Sequence, residues 1–190
     1  MASLSVIAPA ITVTRDARGT HVEIPAGVNT DEPVVIDYDV ADAALVAHTF
    51  VTAGEGSRAT IVERLTGNAE REITASTTVT AAANADLTYT VLENVGSGVR
   101  VEATRVSHVG PGARIGWNVA LLGGVSVTDS VISNHTGAGA NTEIAALFFP
   151  VAREVVQLTT EVQHNVPHTT SQTVVRSIAA GRGQIRRAHV

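Results

Sequence analysis

The 190-residue sequence contains no cysteine, and aromatic residues make up only 3% of it. Without cysteine the chain has no disulfide framework, no thiolate nucleophile and no metal cluster bound through its own sulfur. One Trp, two Tyr and three Phe are also too few to furnish the aromatic walls that are common in ligand clefts.

Positive charge is scarce as well, because the formal net charge is −5 and no basic run precedes the last few residues. Nucleic-acid-binding proteins neutralise phosphates with a basic stripe, so a nucleic acid is not expected as a partner. No apolar run approaches the roughly 20 residues needed to span a bilayer. Residues 1–7 lack the charged and apolar regions of a signal peptide, and we predict a cytoplasmic protein without membrane contact.

Valine and threonine are abundant in this sequence, and both favour strands over helices. Together with the length, this composition predicts one all-β domain over residues 1–190. Residues 1–20 are a lead-in with candidate short strands at 6–7 and 11–14. Further strands are predicted at 21–24 and 34–38.

Four corners rich in glycine, alanine and asparagine recur along the chain and end at Ser57, Ala85, Ala113 and Ala140. These residues are 28, 28 and 27 positions apart. Each corner precedes a short strand, a turn and a second short strand. Such units bury an apolar face only when they stack, and parallel crossovers are normally right-handed. The repeat therefore predicts a right-handed parallel β-helix with coils of about 28 residues.

Histidine is the main candidate metal ligand in a chain without cysteine. His164 and His168 are four residues apart, a spacing that suits a metal pair only on a helix. Pro167 and the β pattern around it argue against a helix, so we predict hydrogen-bonded corner histidines and no metal site. Three further histidines lie near corners of different coils and could stack in register: His48, His108 and His135.

Carboxylates offer a second candidate chemistry. Asp37 and Asp39 alternate along a predicted strand and point to one face, as a calcium site would require, although a solvated strand edge explains them equally well and is favoured here. The same interpretation applies to three glutamates at strand ends: Glu63, Glu93 and Glu161. Ser171 and His168 lack both a nucleophile elbow and a carboxylate to orient the base, so we predict no catalytic residues.

The segment Gln157–Ser171, Q-L-T-T-E-V-Q-H-N-V-P-H-T-T-S, resembles the core motif of the SufB/SufD family, the scaffold subunits of the SUF iron–sulfur cluster assembly system. Residues 137–149 and 47–63 resemble upstream segments of the same family. The resemblance covers about residues 20–190 and is greater to SufD than to SufB.

This resemblance implies a β-helix fold and a non-enzymatic scaffold role in iron–sulfur cluster assembly. It also implies pairing through the β-helices, as a homodimer or with a SufB-like paralogue, and association with a SufC-like ATPase. The family's functional cysteine has no counterpart here, and the helical C-terminal region that makes most of the ATPase contact is not in this sequence. We therefore expect a truncated or reduced form, for which cluster binding is implied by resemblance alone.

Two other functions stay open at this point: a carbohydrate-active enzyme and a purely structural, self-associating solenoid. The enzyme would need carboxylates clustered on one outer face beside an aromatic side chain. In the last coil, Ile185 and Val190 have no following coil to cover them, and bare apolar surface costs about 25 cal/mol for each Å² in water. We therefore predict an interface at these two residues.

Overall fold

The computed structural model describes residues 2–5, 10–40, 45–68 and 70–189. Within them there are strands and turns but no helix, and so no helix long and apolar enough to cross a membrane. The strands in chain order are β1 (Ala2–Ser5), β2 (Thr12–Asp16), β3 (Gly19–Ile24), β4 (Val34–Val40), β5 (Leu45–Ala53), β6 (Arg58–Gly67), β7 (Glu72–Ala81), β8 (Asp86–Val95), β9 (Arg100–Val109), β10 (Arg114–Gly123), β11 (Ser126–His135), β12 (Asn141–Phe148), β13 (Val155–His164), β14 (Thr170–Ser177) and β15 (Gln184–His189).

The strands form two sheets. One has the order β1-β4-β6-β8-β10-β12-β14 and is called sheet A here, and the other has the order β15-β13-β11-β9-β7-β5-β3-β2 and is called sheet B. From β3 onward each coil contributes one strand to each sheet, and neighbouring strands are parallel. The exceptions are β1 and β2, which pair antiparallel with β4 and β3 at the N-terminal end.

Corresponding residues of successive coils are direct neighbours in sheet A. Arg58 is paired with Asp86, Asp86 with Arg114, and Arg114 with Asn141. Each of these residues follows a predicted corner residue, and the corner residues are themselves buried. The prediction of an all-β solenoid with parallel coils of about 28 residues is therefore confirmed.

The corners stack because their backbones turn tightly and approach one another closely. The third residue of each corner has a positive φ, as at Asn84 (57°) and Gly112 (62°), a conformation that glycine and asparagine tolerate best. A Cβ atom on Gly137 would lie 2.2 Å from the backbone nitrogen of Pro111 in the preceding corner. Small residues at these positions are thus a steric requirement of stacking.

The strands are longer than the sequence patterns predicted. The two short strands predicted after the corner at Ser57 belong to β6 and β7, which have ten residues each. Serine and threonine continue the alternation along these strands, because a pleated strand presents every second side chain to solvent. In the lead-in, the strand predicted at 11–14 is β2, whereas the one predicted at 6–7 lies outside the described residues.

The core fills the space between the two sheets. Its largest apolar side chains, Trp117, Tyr89 and Phe148, are fully buried, and the Trp117 and Tyr89 rings contact each other with centroids 4.9 Å apart. Burial falls off in the last coil, where most residues of β14 and β15 are exposed. The middle coils therefore provide the sealed part of the molecule.

Candidate functional site

A group of four charged side chains lies inside the middle coils and is called the interior ionic cluster here. It consists of Arg105 from β9, Glu63 from β6, Glu93 from β8 and Asp129 from β11. Their side chains are between 0% and 2% exposed. Each residue occupies an inward position in the alternation of its strand, so the pleat itself directs it into the core.

The guanidinium of Arg105 holds the cluster together with one donor for each carboxylate. Nη1 donates to Glu63 Oε1 at 2.9 Å, Nη2 to Glu93 Oε1 at 2.7 Å, and Nε to Asp129 Oδ2 at 3.0 Å. Charge-assisted bonds of this kind are the strongest in proteins. The arrangement joins residues from three successive coils, since Glu63 precedes the coil of Glu93 and Arg105 and Asp129 follows it.

Hydroxyl groups surround the second oxygen of Glu63. Glu63 Oε2 accepts hydrogen bonds from Tyr89 at 2.7 Å and from Thr49 at 2.9 Å. Thr49 is in turn 3.0 Å from the hydroxyl of Tyr38, which also contacts Thr20 at 2.9 Å. A buried polar chain thus runs from the first coils to the interior ionic cluster.

Glu93 and Asp129 are less completely satisfied. Glu93 Oε2 and Asp129 Oδ1 are buried and have no hydrogen-bond partner in the described part of the chain. Burial and the nearby charge of Asp129 raise the pKa of Glu93 to about 8, against the opposing effect of Arg105. For Arg105, burial disfavours the cation, but the surrounding carboxylates outweigh it and raise the pKa.

The expectation that Glu63 and Glu93 lie on solvated strand edges is wrong, since both are in the core. Glu161 differs, because it is only half-buried and accepts a hydrogen bond from Gln163. The alternation around Glu63, with Ile61 and Leu65 two residues to either side, contained the signal for inward orientation. Arg105 likewise lies at an inward position in the alternation of β9. The sequence analysis did not identify it as a candidate residue.

A second polar group lies at the corner after β11 and is called the histidine corner: His135, His164, Ser133, Thr142 and Ser171. His135 is fully buried, and its Nε2 is 2.9 Å from Thr142 Oγ1, which lies 2.7 Å from Ser133 Oγ. His164 is exposed one coil further on, and the two imidazole rings meet edge to face with centroids 4.8 Å apart. Burial and the neighbouring His164 lower the pKa of His135.

His164 makes local hydrogen bonds, as expected for a corner histidine. Its Nδ1 is 2.7 Å from Thr169 Oγ1 and its Nε2 is 3.1 Å from Ser171 Oγ. A hydroxyl therefore occupies the position at Nδ1 that a carboxylate holds in a Ser-His-Asp triad. His168 lies in the turn with φ 60° and is not the partner of Ser171.

The structure does not bring the other candidate histidines together. His135 is in register with His164, not with His48 or His108, so the suggested three-histidine stack is wrong. Among the residues that can be described, no group of three or more His, Asp or Glu side chains could hold a metal ion. Absence of a metal at His164 and His168 stays a prediction.

Asp37, the first residue of the acidic pair in β4, is part of a surface ion pair. Asp37 accepts hydrogen bonds from Arg64 of the adjacent strand, one of them at 2.7 Å from Nη2. An arginine that neutralises the carboxylate competes with a calcium ion for the same oxygens. Because β4 is paired with β1 on one side and with β6 on the other, it is an inner strand of sheet A, and the favoured interpretation of a strand edge is wrong.

Exposed apolar side chains are concentrated in and just after β12 and β14, the last two strands of sheet A. Of seven large hydrophobic residues exposed in the described ranges, five fall between residues 147 and 178. We call this the outer apolar face: Leu147, Phe149, Val151, Val174 and Ile178. Beside it lies a groove of about 310 Å³ that includes Ala120, Ala145 and Arg176 in its lining.

Of the two residues at which an interface was predicted, Ile185 of β15 is half-buried, and Val190 lies outside the described residues.

These features define a parallel β-solenoid in which Arg105 ties three buried carboxylates to one another in the core. A family model described as SUF system FeS cluster assembly, SufBD core domain, matches residues 36–186. The chain therefore belongs to the SufBD core family. The match treats SufB and SufD together, so the greater similarity to SufD stays a prediction. A comparison with curated proteins gives no significant match.

Proposed function

We propose that this chain is a non-enzymatic scaffold in SUF iron–sulfur cluster assembly in the cytoplasm, and that it works by pairing with another β-solenoid. The observation that carries the proposal is the outer apolar face. Exposed apolar surface is typical of interaction sites, and two residues of this face, Val174 and Ile178, belong to the least buried coil. The partner is a second copy or a SufB-like paralogue, and a SufC-like ATPase joins the assembly.

In this proposal the iron–sulfur cluster is cargo. The sequence has no cysteine, so the thiolates that usually hold such clusters come from a partner. We infer that the chain contributes shape and contact surface rather than cluster ligands.

The placement of acidic and aromatic groups supports a scaffold over a carbohydrate-active enzyme. On the outer face of sheet A, Asp86 and Glu143 both pair with Arg114, while Trp117 is in the core. A glycosidase needs two carboxylates free to act as acid and base. The interior carboxylates cannot serve, because solvent and substrate do not reach them.

Sedimentation at high micromolar concentration tests the proposal, alone and with a SufB-like paralogue. Leu147→Asp should weaken association through the outer apolar face and Ile185→Asp through the last coil, because each places a charge in a proposed contact. Val46→Asp is the matched control, since Val46 is 64% exposed but lies on β5, far along the chain from the proposed interface. A chain that stays monomeric and ignores the paralogue would contradict the scaffold role.

A further inference from the structure

We propose that Glu93 and Asp129 share one proton, so that the interior ionic cluster is a proton-binding site whose occupancy controls the stability of the solenoid. This inference concerns the buried core and is independent of the proposed interface.

The geometry of the guanidinium places the two carboxyl groups side by side. Nε and Nη2 of Arg105 lie on the same edge of the planar group. Asp129 accepts from Nε at 3.0 Å, and Glu93 accepts from Nη2 at 2.7 Å. Each carboxyl group therefore has one oxygen fixed on this edge and a second that the arginine does not reach.

These second oxygens, Glu93 Oε2 and Asp129 Oδ1, are the two carboxylate atoms in the described residues that are buried without a hydrogen-bond partner. An ionised carboxylate only accepts hydrogen bonds, so two ionised groups leave both atoms unsatisfied. A proton on Glu93 turns one acceptor into a donor. In the proposal this donor bonds to Asp129, so that one proton serves both carboxyl groups.

The charge balance favours the same state. The charged groups that face Glu93 are Arg105 from β9, Asp129 from β11 and Glu63 from β6. Glu63 accepts hydrogen bonds from the hydroxyl groups of Thr49 and of Tyr89, which is in β8 like Glu93. In β10 the residue paired with Glu93 is Leu121, which has no charge. With all three carboxylates ionised the cluster has a charge of −2, whereas one bound proton reduces it to −1. The raised pKa of Glu93, about 8, agrees with this.

Proton binding links the fold to pH. The folded state holds the proton up to about pH 8, whereas an unfolded glutamate loses it near 4.5. The contribution to stability is complete below pH 4.5 and is lost as the pH rises through 8. Across that window the folding equilibrium constant should fall by up to about tenfold for each pH unit.

Denaturant unfolding of the whole chain between pH 6.5 and 9 tests the proposal. The wild type should lose stability up to about pH 8, with a slope approaching one proton, and Glu93→Gln should remove that slope because its amide keeps a donor but cannot titrate. Glu143→Gln, on the exposed face, is the matched control and should keep the wild-type slope. A slope that is unchanged in Glu93→Gln would overturn the proposal.

Infrared spectroscopy of the wild type provides a test that needs no variant. At pH 7 ordinary carboxyl groups are ionised, so a protonated-carboxyl carbonyl band at that pH should come from the shared proton and disappear above about pH 9. If the folded protein has no such band at pH 7, then Glu93 and Asp129 are both ionised and the proposal is wrong.

Discussion

The middle coils and the last coil share one register but differ in burial. In β8 and β9, inward residues such as Val91 and Val101 are at most 1% exposed. In β14 the inward Val175 is only half-buried, and Ile178 just beyond the strand is 62% exposed. The backbone ladder is enough to fix which residues are paired. Burial additionally requires a neighbouring strand on both sides, which β6, β8, β9 and β11 of the interior ionic cluster all have.

The largest expected effect is at the centre of the sealed region. Arg105→Met should destabilise the protein by on the order of 3–5 kcal/mol, because it leaves the buried carboxylates without their cation. Arg176→Met, on the exposed part of β14, should change stability by less than about 0.5 kcal/mol. Denaturant unfolding at pH 7 measures both. Similar losses for the two variants would mean that the interior charges are not sealed from water.

A matched pair of aliphatic truncations sharpens the comparison. Leu121→Ala in β10 removes a fully buried side chain and should cost about 2–5 kcal/mol. Ile185→Ala in β15 should cost roughly 1 kcal/mol or less in the isolated chain. If a partner covers the last coil, the loss at Ile185 should increase with protein concentration in thermal unfolding. A loss at Ile185 as large as that at Leu121 in dilute solution would contradict the comparison.

The smallest effect is expected on the outer surface of the middle coils. Arg114 donates to Asp86 at 3.1 Å and to Glu143 at 2.8 Å, and its hydrogen bonds lower the pKa of Glu143. Because these side chains are 40–47% exposed, Arg114→Met should cost only about 0–1 kcal/mol. The difference from the wild type should shrink in high salt. A loss that is large and independent of salt would show that outer and inner ion pairs contribute alike.

The coil repeat was predictable because stacked corners leave room only for small residues. These residues recur at a regular spacing that can be read directly from the sequence. The interior ionic cluster was harder to predict, because Glu63 looks like an ordinary strand-end glutamate until its contact with Arg105 of the next coil is known. The alternation of inward and outward residues along β6 and β9 indicated that Glu63 and Arg105 point into the core. It does not indicate which charged side chains form ion pairs. His164 as a hydrogen-bonded corner residue was within reach, whereas its contact with His135 depends on the register between coils.

The turns between strands absorb every irregularity in coil length. From Asp86 to Arg114 a coil takes 28 residues, from Arg114 to Asn141 it takes 27, and from Asn141 to Thr170 it takes 29, yet all four residues remain paired. A codon gained or lost in a turn is thus corrected before the next strand begins. The same codon gained within β9 would exchange inside and outside for the later residues of that strand and could move Arg105 to the wrong face. Insertions and deletions in natural variants of this chain should therefore fall between strands, and the protein can grow or shrink most readily by whole coils.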